Sequence, residues 1–343
     1  MKHKKPKVLI SGYYGFDNFG DEAVLSVLVE SLKNCNIDDI TVFSKNPEIT
    51  KKNYNVKAYN SFNLFEIITN ILHCNILFSG GGSLLQDATS SKSLIYYLGI
   101  IITALFFRKK VIIFAQGIGP IKNKFLKNLT MLVLKNCNFV TVRDEKSLNI
   151  LKENKVKAEL VSDPVWNIPL MTKYSHRGIG IQLRKWDNLT DEWIKIFAKY
   201  IEKYYSDKVI FIYVLQESLD REVCYKLEDE LRAINPNIHT HIVINRATFE
   251  IVKAFSHLDE LIAMRYHACL LGLKYGIPVV PIVYDPKVEK LANEFNIQSK
   301  IYFDDNEEKL EKEIKNLKYG EYNANYNKIA EKNLDFELFK KYL

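Results

Sequence analysis

Apolar residues recur along this chain in two alternating rhythms. Short runs at 8–11, 40–43, 76–78, 111–115, 139–142 and 160–161 have the length and composition of buried strands. Between most of them apolar positions return at helical spacing, over 21–33, 64–72, 94–107, 125–136 and 145–153. In the first of these, Ala23, Val24, Val27, Leu28 and Leu32 share one face. The second half repeats the style, with strands at 178–183, 209–215, 241–244, 261–264, 279–284 and 301–303 and helices at 191–205, 221–234, 249–255, 268–274, 288–295 and 307–317. Alternation of this kind predicts α/β architecture with doubly wound parallel sheets. Periodicity lapses over 167–177, where a proline interrupts, and the domain boundary is placed there. The expected units are 1–170, 171–320 and a polar, tyrosine-rich tail, 321–343, whose amphipathic end packs back on the first domain. No fixed-period repeat or low-complexity tract is present.

A chain of 343 residues, 47% apolar, can bury a core in each of two domains. Its net charge of +7 is mild and its lysines are spread out, apart from the leading cluster from Lys2 to Lys7. No basic stripe with interleaved aromatics occurs, so a nucleic-acid partner is excluded, whereas anionic substrates or a negatively charged membrane surface suit the charge. The five cysteines are scattered and never paired as Cys-x-x-Cys, which fits reduced thiols in the cytoplasm and neither a disulfide framework nor a zinc site. The N-terminus lacks the long apolar region of a secretion signal. The apolar run 94–107, followed by Arg108-Lys109-Lys110, is shorter than the ~20 residues needed to span a bilayer. A buried helix is expected there, the other reading being a helix that touches a membrane surface with its basic flank.

Candidate chemistry concentrates at 260–287, read as strand, helix, strand, with Gly276-Ile277-Pro278 stopping the helix. Arg265 and His267 lie at the first strand-to-helix junction, and Lys287 follows Asp285-Pro286 at the end of the next strand. Carboxyl ends of neighbouring parallel strands share one edge, so this set is placed to meet a small, strongly anionic ligand. Arg binds phosphate or carboxylate through paired N–H bonds, Lys adds a point charge, and an imidazole moves protons near neutrality. A capping or surface role for the Arg-x-His pair is the plainer alternative. Arg184 follows the strand at 178–183 and faces the same edge.

The first half carries its own loops at strand ends. Residues 11–21, SGYYGFDNFGD, combine three glycines with Tyr13, Tyr14, Phe16 and Phe19, a density that stacks on sugar faces, shapes a pocket or plugs an interface. The G-x-G-x-x-G of a dinucleotide loop is absent. Asp21 is read as a substrate ligand or as the N-cap of the following helix. Gly80, Gly81, Gly82 and Ser83 end one strand, Gln116 to Pro120 another, and Arg143-Asp144 a third. If this edge opposes that of the second half, the active site lies in an interdomain cleft.

With GYYGFDNFGDEA, SGGGSLLQD, AQGIGP, VRDEKS, MRYHA and YDPKV in this order, from Val8 to Phe295, the chain resembles the polysaccharide pyruvyl transferases. The nearest likeness is to the bacterial type that modifies secondary cell-wall polysaccharide and supports S-layer anchoring. The resemblance implies two Rossmann-like domains in a GT-B-like fold, phosphoenolpyruvate as donor, and a 4,6-ketal formed on N-acetylmannosamine in a lipid-linked precursor. It places the donor site and catalysis on Arg265, His267, Lys287 and Arg184 in the C-terminal domain. The acceptor site falls on Tyr14, Phe16 and Arg143, beside Asp21, Gly81, Gly82 and Gln116. Tyr266 stands where a leucine is frequent between the Arg and the His. Neither cofactor nor metal is expected, phosphoenolpyruvate being a co-substrate, and the place of work is the cytoplasm at the inner face of the membrane. The rival readings are a nucleotide-sugar glycosyltransferase on the same architecture, against which no Asp-x-Asp metal site is found, and a non-catalytic glycan- or phosphate-binding protein.

Overall fold

Every strand pairing among the described residues is parallel. Parallel neighbours need long crossovers, and the helices supplied by those crossovers bury the sheet on its faces. The computed structural model describes residues 5–88, 90–174, 178–320 and 322–343. Residues 1–4 of the basic cluster, 175–177 of the expected linker and residue 321 of the tail lie outside the described residues.

The first unit comprises Met1–Ile168 and Asn333–Leu343. Its strands are β1 (Val8–Ser11), β2 (Ile40–Ser44), β3 (Lys57–Asn60), β4 (Ile76–Gly80), β5 (Lys110–Gln116), β6 (Phe139–Val142) and β7 (Glu159–Leu160), in the spatial order β3-β2-β1-β4-β5-β6-β7. Helices α1 (Phe19–Asn34), α2 (Pro47–Tyr54), α3 (Leu64–His73), α4 (Ser91–Phe106), α5 (Lys124–Lys135) and α6 (Glu145–Glu153) connect them. Leu9, Leu77, Ile113 and Val140 of the sheet join Ile71, Leu98, Ile101 and Leu134 of α3, α4 and α5 in one core. The apolar run at 94–107 is therefore a helix half sunk in this core, and no helix of the described residues is long and apolar enough to cross a membrane.

The second unit is Pro169–Lys332. Its order is β10 (Thr240–Ile244), β9 (Val209–Val214), β8 (Gly178–Gln182), β11 (Leu258–Ala263), β12 (Val279–Val283) and β13 (Ile301–Tyr302). Its helices are α7 (Asp191–Tyr205), α8 (Glu217–Ile234), α9 (Thr248–Phe255), α10 (Tyr266–Lys274), α11 (Pro286–Glu294) and α12 (Glu307–Lys318). Ile179, Ile181, Ile212 and Ile262 meet Phe197, Leu227 and Ile314 in its core. In each sheet the first strand, β1 or β8, sits inside the order with successive strands added on either side, and such a reversal opens a crevice at the carboxyl ends.

Elements that periodicity leaves unmarked are polar ones. Helix α2 buries only Thr50 and Tyr54, and β3 buries only Ala58 on the sheet edge, so neither writes an apolar rhythm. Helix α1 begins at Phe19 because Asn18 caps it, its Oδ1 accepting from the Gly20 amide at 3.2 Å, which puts Asp21 in the first turn and not at the cap. Helices α8 and α10 also begin earlier than their apolar pattern, at Glu217 and Tyr266, so Asp220 and His267 stand in first turns.

The tail divides. Its 3-10 helix, Tyr326–Glu331, belongs to the second unit, whereas Asn333–Leu343 belongs to the first. Asn167 fastens this last segment, exchanging bonds with Leu334 at 2.8 and 3.0 Å. Helix α13 (Glu337–Lys340) then inserts Phe339 among Phe78, Phe114 and Phe139, with ring centroids 5.2 to 6.3 Å apart. Truncating a fully buried aromatic removes its transfer free energy and leaves a cavity, so Phe339→Ala is expected to cost about 3–5 kcal/mol in denaturant unfolding. A loss below about 1 kcal/mol would show that the tail is only laid against the sheet.

Candidate functional site

Three adjacent strands of the second unit, β8, β11 and β12, end on the same edge. Beyond β8 comes Arg184, beyond β11 Arg265, and beyond β12 Tyr284. Arg184 donates from Nη1 to the Tyr284 hydroxyl at 3.0 Å, and its guanidinium carbon lies 5.1 Å from the centre of that ring. Trp186 packs edge-on against Tyr284 at 5.1 Å. Arg184 Nε is buried with no hydrogen-bond partner among the described residues, which leaves one donor of this guanidinium unused. Burial above all raises the pKa of the Tyr284 hydroxyl, with Arg184 and Arg265 opposing that shift.

Arg265 is held from two directions. Its backbone N–H donates to Gln182 Oε1 at 2.8 Å, and its Nε donates to both oxygens of Asp220, at 2.8 and 3.1 Å, with Nη2 adding a further bond to Oδ1. Asp220 is fully buried and also accepts from the Leu215 and Gln216 amides, each at 3.0 Å, and from Gln182 Nε2 at 3.2 Å. Two-oxygen contact fixes the guanidinium plane and so the direction of its remaining N–H groups. The pair also offsets much of the Arg265 charge within the edge itself.

Arg265 is the N-cap residue of α10, a helix with no side-chain cap and no acidic residue in its first turn. His267 lies in that turn, half-buried, with Nε2 out of reach of solvent and its ring 5.0 Å from Tyr266. Helix starts favour anions through their amides and dipole. Lys287 is exposed in the first turn of α11, where Asp285 caps the helix by accepting from the Lys287 amide at 2.7 Å. Arg184 and Arg265 are thus each fixed by hydrogen bonds just beyond the neighbouring strands β8 and β11, and His267 and Lys287 stand in the first turns of the helices that follow β11 and β12. Asp220, Gln182, Tyr284 and Trp186 belong to this edge without any motif that marks them in the sequence as site residues. Tyr284 stood in plain view at a strand end, but Asp220 lay just ahead of the apolar rhythm of α8 and read as loop.

In the first unit, β1, β4, β5 and β6 are also adjacent. Tyr14 is fully buried and donates to the Gly80 carbonyl at 2.8 Å, so it presents no face to a ligand and instead joins two loops. Gly82 has φ +61, and a Cβ there would meet Asp21 Oδ1 at 2.4 Å. Asp21 accepts from Asn18 Nδ2 at 2.7 Å. Glu22 accepts from the Gly15 amide at 2.7 Å and from the Tyr54 hydroxyl at 2.6 Å, and burial raises its pKa against those two bonds. Burial first, and the Asp21 charge second, push the Tyr13 and Tyr14 hydroxyls upward.

Phe16 remains half-buried, stacked on Tyr13 at 4.0 Å, with Lys45 Nζ 5.1 Å from its centre and Phe62 edge-on at 6.2 Å. Gln116 is buried and donates to Ser79 O and Oγ at 2.9 and 3.0 Å, and its Oε1 has no partner among the described residues. Arg143 bonds Asp163 through Nη1 at 2.6 Å, a pair that is nearly buried. Gly81, like Gly82, has positive φ in the turn after β4. Of the residues singled out in this half, Phe16 offers ring surface, while Tyr14, Asp21, Gln116 and Arg143 hold loops in place. Among the described residues no three His, Cys, Asp or Glu side chains are grouped to hold a metal ion.

The family model described as polysaccharide pyruvyl transferase matches residues 18–286. No curated protein matches the chain by sequence. The UDP-GlcNAc 2-epimerase of Methanocaldococcus jannaschii is similar in structure, with a TM-score of 0.63 at 13% identity over 94% of each chain. The Neisseria meningitidis UDP-GlcNAc 2-epimerase, bound to UDP-GlcNAc, gives 0.57 at 13% identity, covering 96% of this chain and 95% of that one. A glycosyltransferase from Rickettsia africae gives 0.59 at 11% identity, covering 99% and 97%. At such identities the likeness is one of fold, two parallel-sheet α/β domains of the GT-B kind.

Removing one partner of a buried ion pair strands the other, so Asp220→Ala is expected to destabilise the protein by about 3–5 kcal/mol, measured by denaturant unfolding. Replacing both, as Asp220→Leu with Arg265→Met, should recover most of that loss. A double variant no more stable than the single one would show that the carboxylate serves β8 and β9 without Arg265.

Proposed function

The chain belongs to the polysaccharide pyruvyl transferase family, and from that premise we propose that it moves the enolpyruvyl group of phosphoenolpyruvate onto two hydroxyls of one cell-wall sugar, releasing phosphate and leaving a pyruvate ketal. The observation that carries this reading is the placement of Arg184 and Arg265 just beyond the carboxyl ends of the neighbouring strands β8 and β11, with His267 in the adjoining helix start. Two guanidiniums and Lys287 match a small ligand that bears both a carboxylate and a phosphate. Arg265, with its plane set by Asp220, receives one anionic group, and Arg184 and Lys287 receive the other.

The reaction begins with a proton added to the methylene carbon, which becomes the methyl group and leaves the neighbouring carbon cationic. One sugar hydroxyl adds to that carbon and loses its proton. Phosphate then departs with the electrons of its C–O bond, and the second hydroxyl closes the ketal. One hydroxyl proton balances that given to the methylene, and the other leaves with phosphate. His267 is the general acid or base of these transfers, and Arg184, Arg265 and Lys287 stabilise the departing phosphate.

The first unit is the acceptor side. Phe16, stacked on Tyr13, supplies a ring for the sugar face, while Tyr14, the Gly81 and Gly82 turn, Gln116 and Arg143 fix the loops around it. The acceptor is an N-acetylmannosamine residue in a lipid-linked precursor of secondary cell-wall polysaccharide, modified at the inner face of the cytoplasmic membrane.

Phosphate release from phosphoenolpyruvate, measured with and without an N-acetylmannosamine-containing acceptor, tests the reaction class. Acceptor-dependent release and the mass gain of a pyruvate ketal are the expected outcome, and binding of a uridine sugar without any release would point to a glycosyltransferase instead. His267→Ala should lower kcat by about a hundredfold or more while phosphoenolpyruvate still binds; unchanged turnover would remove His267 from the chemistry. Lys287→Ala loses a charge-assisted bond and should raise KM for phosphoenolpyruvate about ten- to hundredfold, and normal KM with normal kcat would count against its role.

A further inference from the structure

Helices α3, α4 and α5 lie on one face of the first sheet and share one core, yet their outward faces are not polar. Eleven of the 21 exposed large apolar side chains among the described residues fall between Phe62 and Leu132. On α3, Leu64, Ile68 and Leu72 follow at steps of four, with Phe65 beside them; on α4, Ile95, Ile102 and Phe106 share a stripe; on α5, Phe125 and Leu132 do. Phe65, Phe106 and Phe125 are 76%, 78% and 73% exposed, one on each helix. Apolar side chains spread over three neighbouring helices mark an interaction surface.

The charges around it say what it meets. From residue 88 to 143 there is no Asp or Glu and there are nine Lys or Arg, so this segment carries +9 against +7 for the whole chain, leaving −2 elsewhere. Lys92 and Arg108 bracket α4, and Lys124, Lys127 and Lys135 lie on α5; none of the five pairs with a carboxylate among the described residues. The single acid on α3, Glu66, is turned to the Asn60 amide at 2.8 Å. Exposed Phe and Leu beneath unpaired lysines are the makings of a surface that lies in the headgroup layer. A second copy of the chain fits poorly, because a two-fold contact would set these like charges against each other.

We propose that the outer face of the α3, α4 and α5 layer docks on a bilayer of anionic lipids. The docking rests on this surface alone; its use rests on the pyruvyl transfer reading. Phe62, at the rim, lies 6.2 Å from both Phe16 and Tyr96, so the patch runs into the aromatic loop given to the sugar, and a lipid-carried acceptor would reach that loop along the membrane plane.

Co-sedimentation of the full chain with vesicles of phosphatidylcholine, with and without phosphatidylglycerol, tests it. Binding is expected to phosphatidylglycerol vesicles and to weaken at high salt. The triple variant Lys124→Gln, Lys127→Gln, Lys135→Gln should partition about a hundredfold less, at ~1 kcal/mol for each lysine near the surface. Phe65→Ser, Phe106→Ser and Phe125→Ser together should abolish binding with the melting temperature unchanged, because the rings are exposed. Absent binding, or variants that bind like the parent, would overturn the proposal. So would a solution dimer that the phenylalanine variant dissolves. Phosphate release on a water-soluble acceptor is a separate reading: its failure counts against the transfer chemistry and leaves vesicle binding intact as the measure of docking.

Discussion

The carboxylate of Asp220 is the point on which the second unit's edge depends. Buried and charged, it has meaning only if its lone pairs are taken up, and they are: by the amides of Leu215 and Gln216 after β9, by Gln182 at the end of β8, and by Arg265 after β11. One side chain thus ties three strand ends together. Uncompensated, such a charge would be expelled or protonated; satisfied four times over, it becomes a rigid anchor. The direction in which Arg265 points is a consequence of that anchor.

This arrangement separates the two arginines. The Arg265 charge is largely offset by Asp220, its plane is fixed by two carboxylate oxygens and its backbone by Gln182. Arg184 is held by a phenol and an aromatic face, with Nε lacking a partner among the described residues. A fixed group that orients and a charged group that attracts are different tools, and an anion with two charged ends can use both.

The first unit solves its edge by close backbone approach. Gly12 lies where a Cβ would meet the Tyr14 ring and the Gly80 carbonyl within 2.6 Å, and Gly82 lies against Asp21. Loops packed this tightly leave little side-chain surface, and the surface that remains is aromatic, from Tyr13 and Phe16 through Phe62 to Tyr96. The same rings continue onto helices whose outer faces are apolar and whose surroundings are basic. The aromatic loop and the outer face are therefore neighbours within one unit, joined through Phe62.

The sequence by itself determined the alternating strands and helices, the two parallel sheets and the strand ends that carry Arg184, Arg265, His267 and Lys287. These are local properties: apolar rhythm and loop position do not need distant contacts to be read. Helix α2 and strand β3 escaped because polar elements on an edge write no rhythm. Only the tertiary structure decided that Tyr14 is a buried tie, that Arg143 is spent on Asp163, and that Asp220, 45 residues from Arg265, is its partner. Which oxygen meets which nitrogen depends on strand order in the sheet, and strand order is a long-range fact that no window of the chain contains.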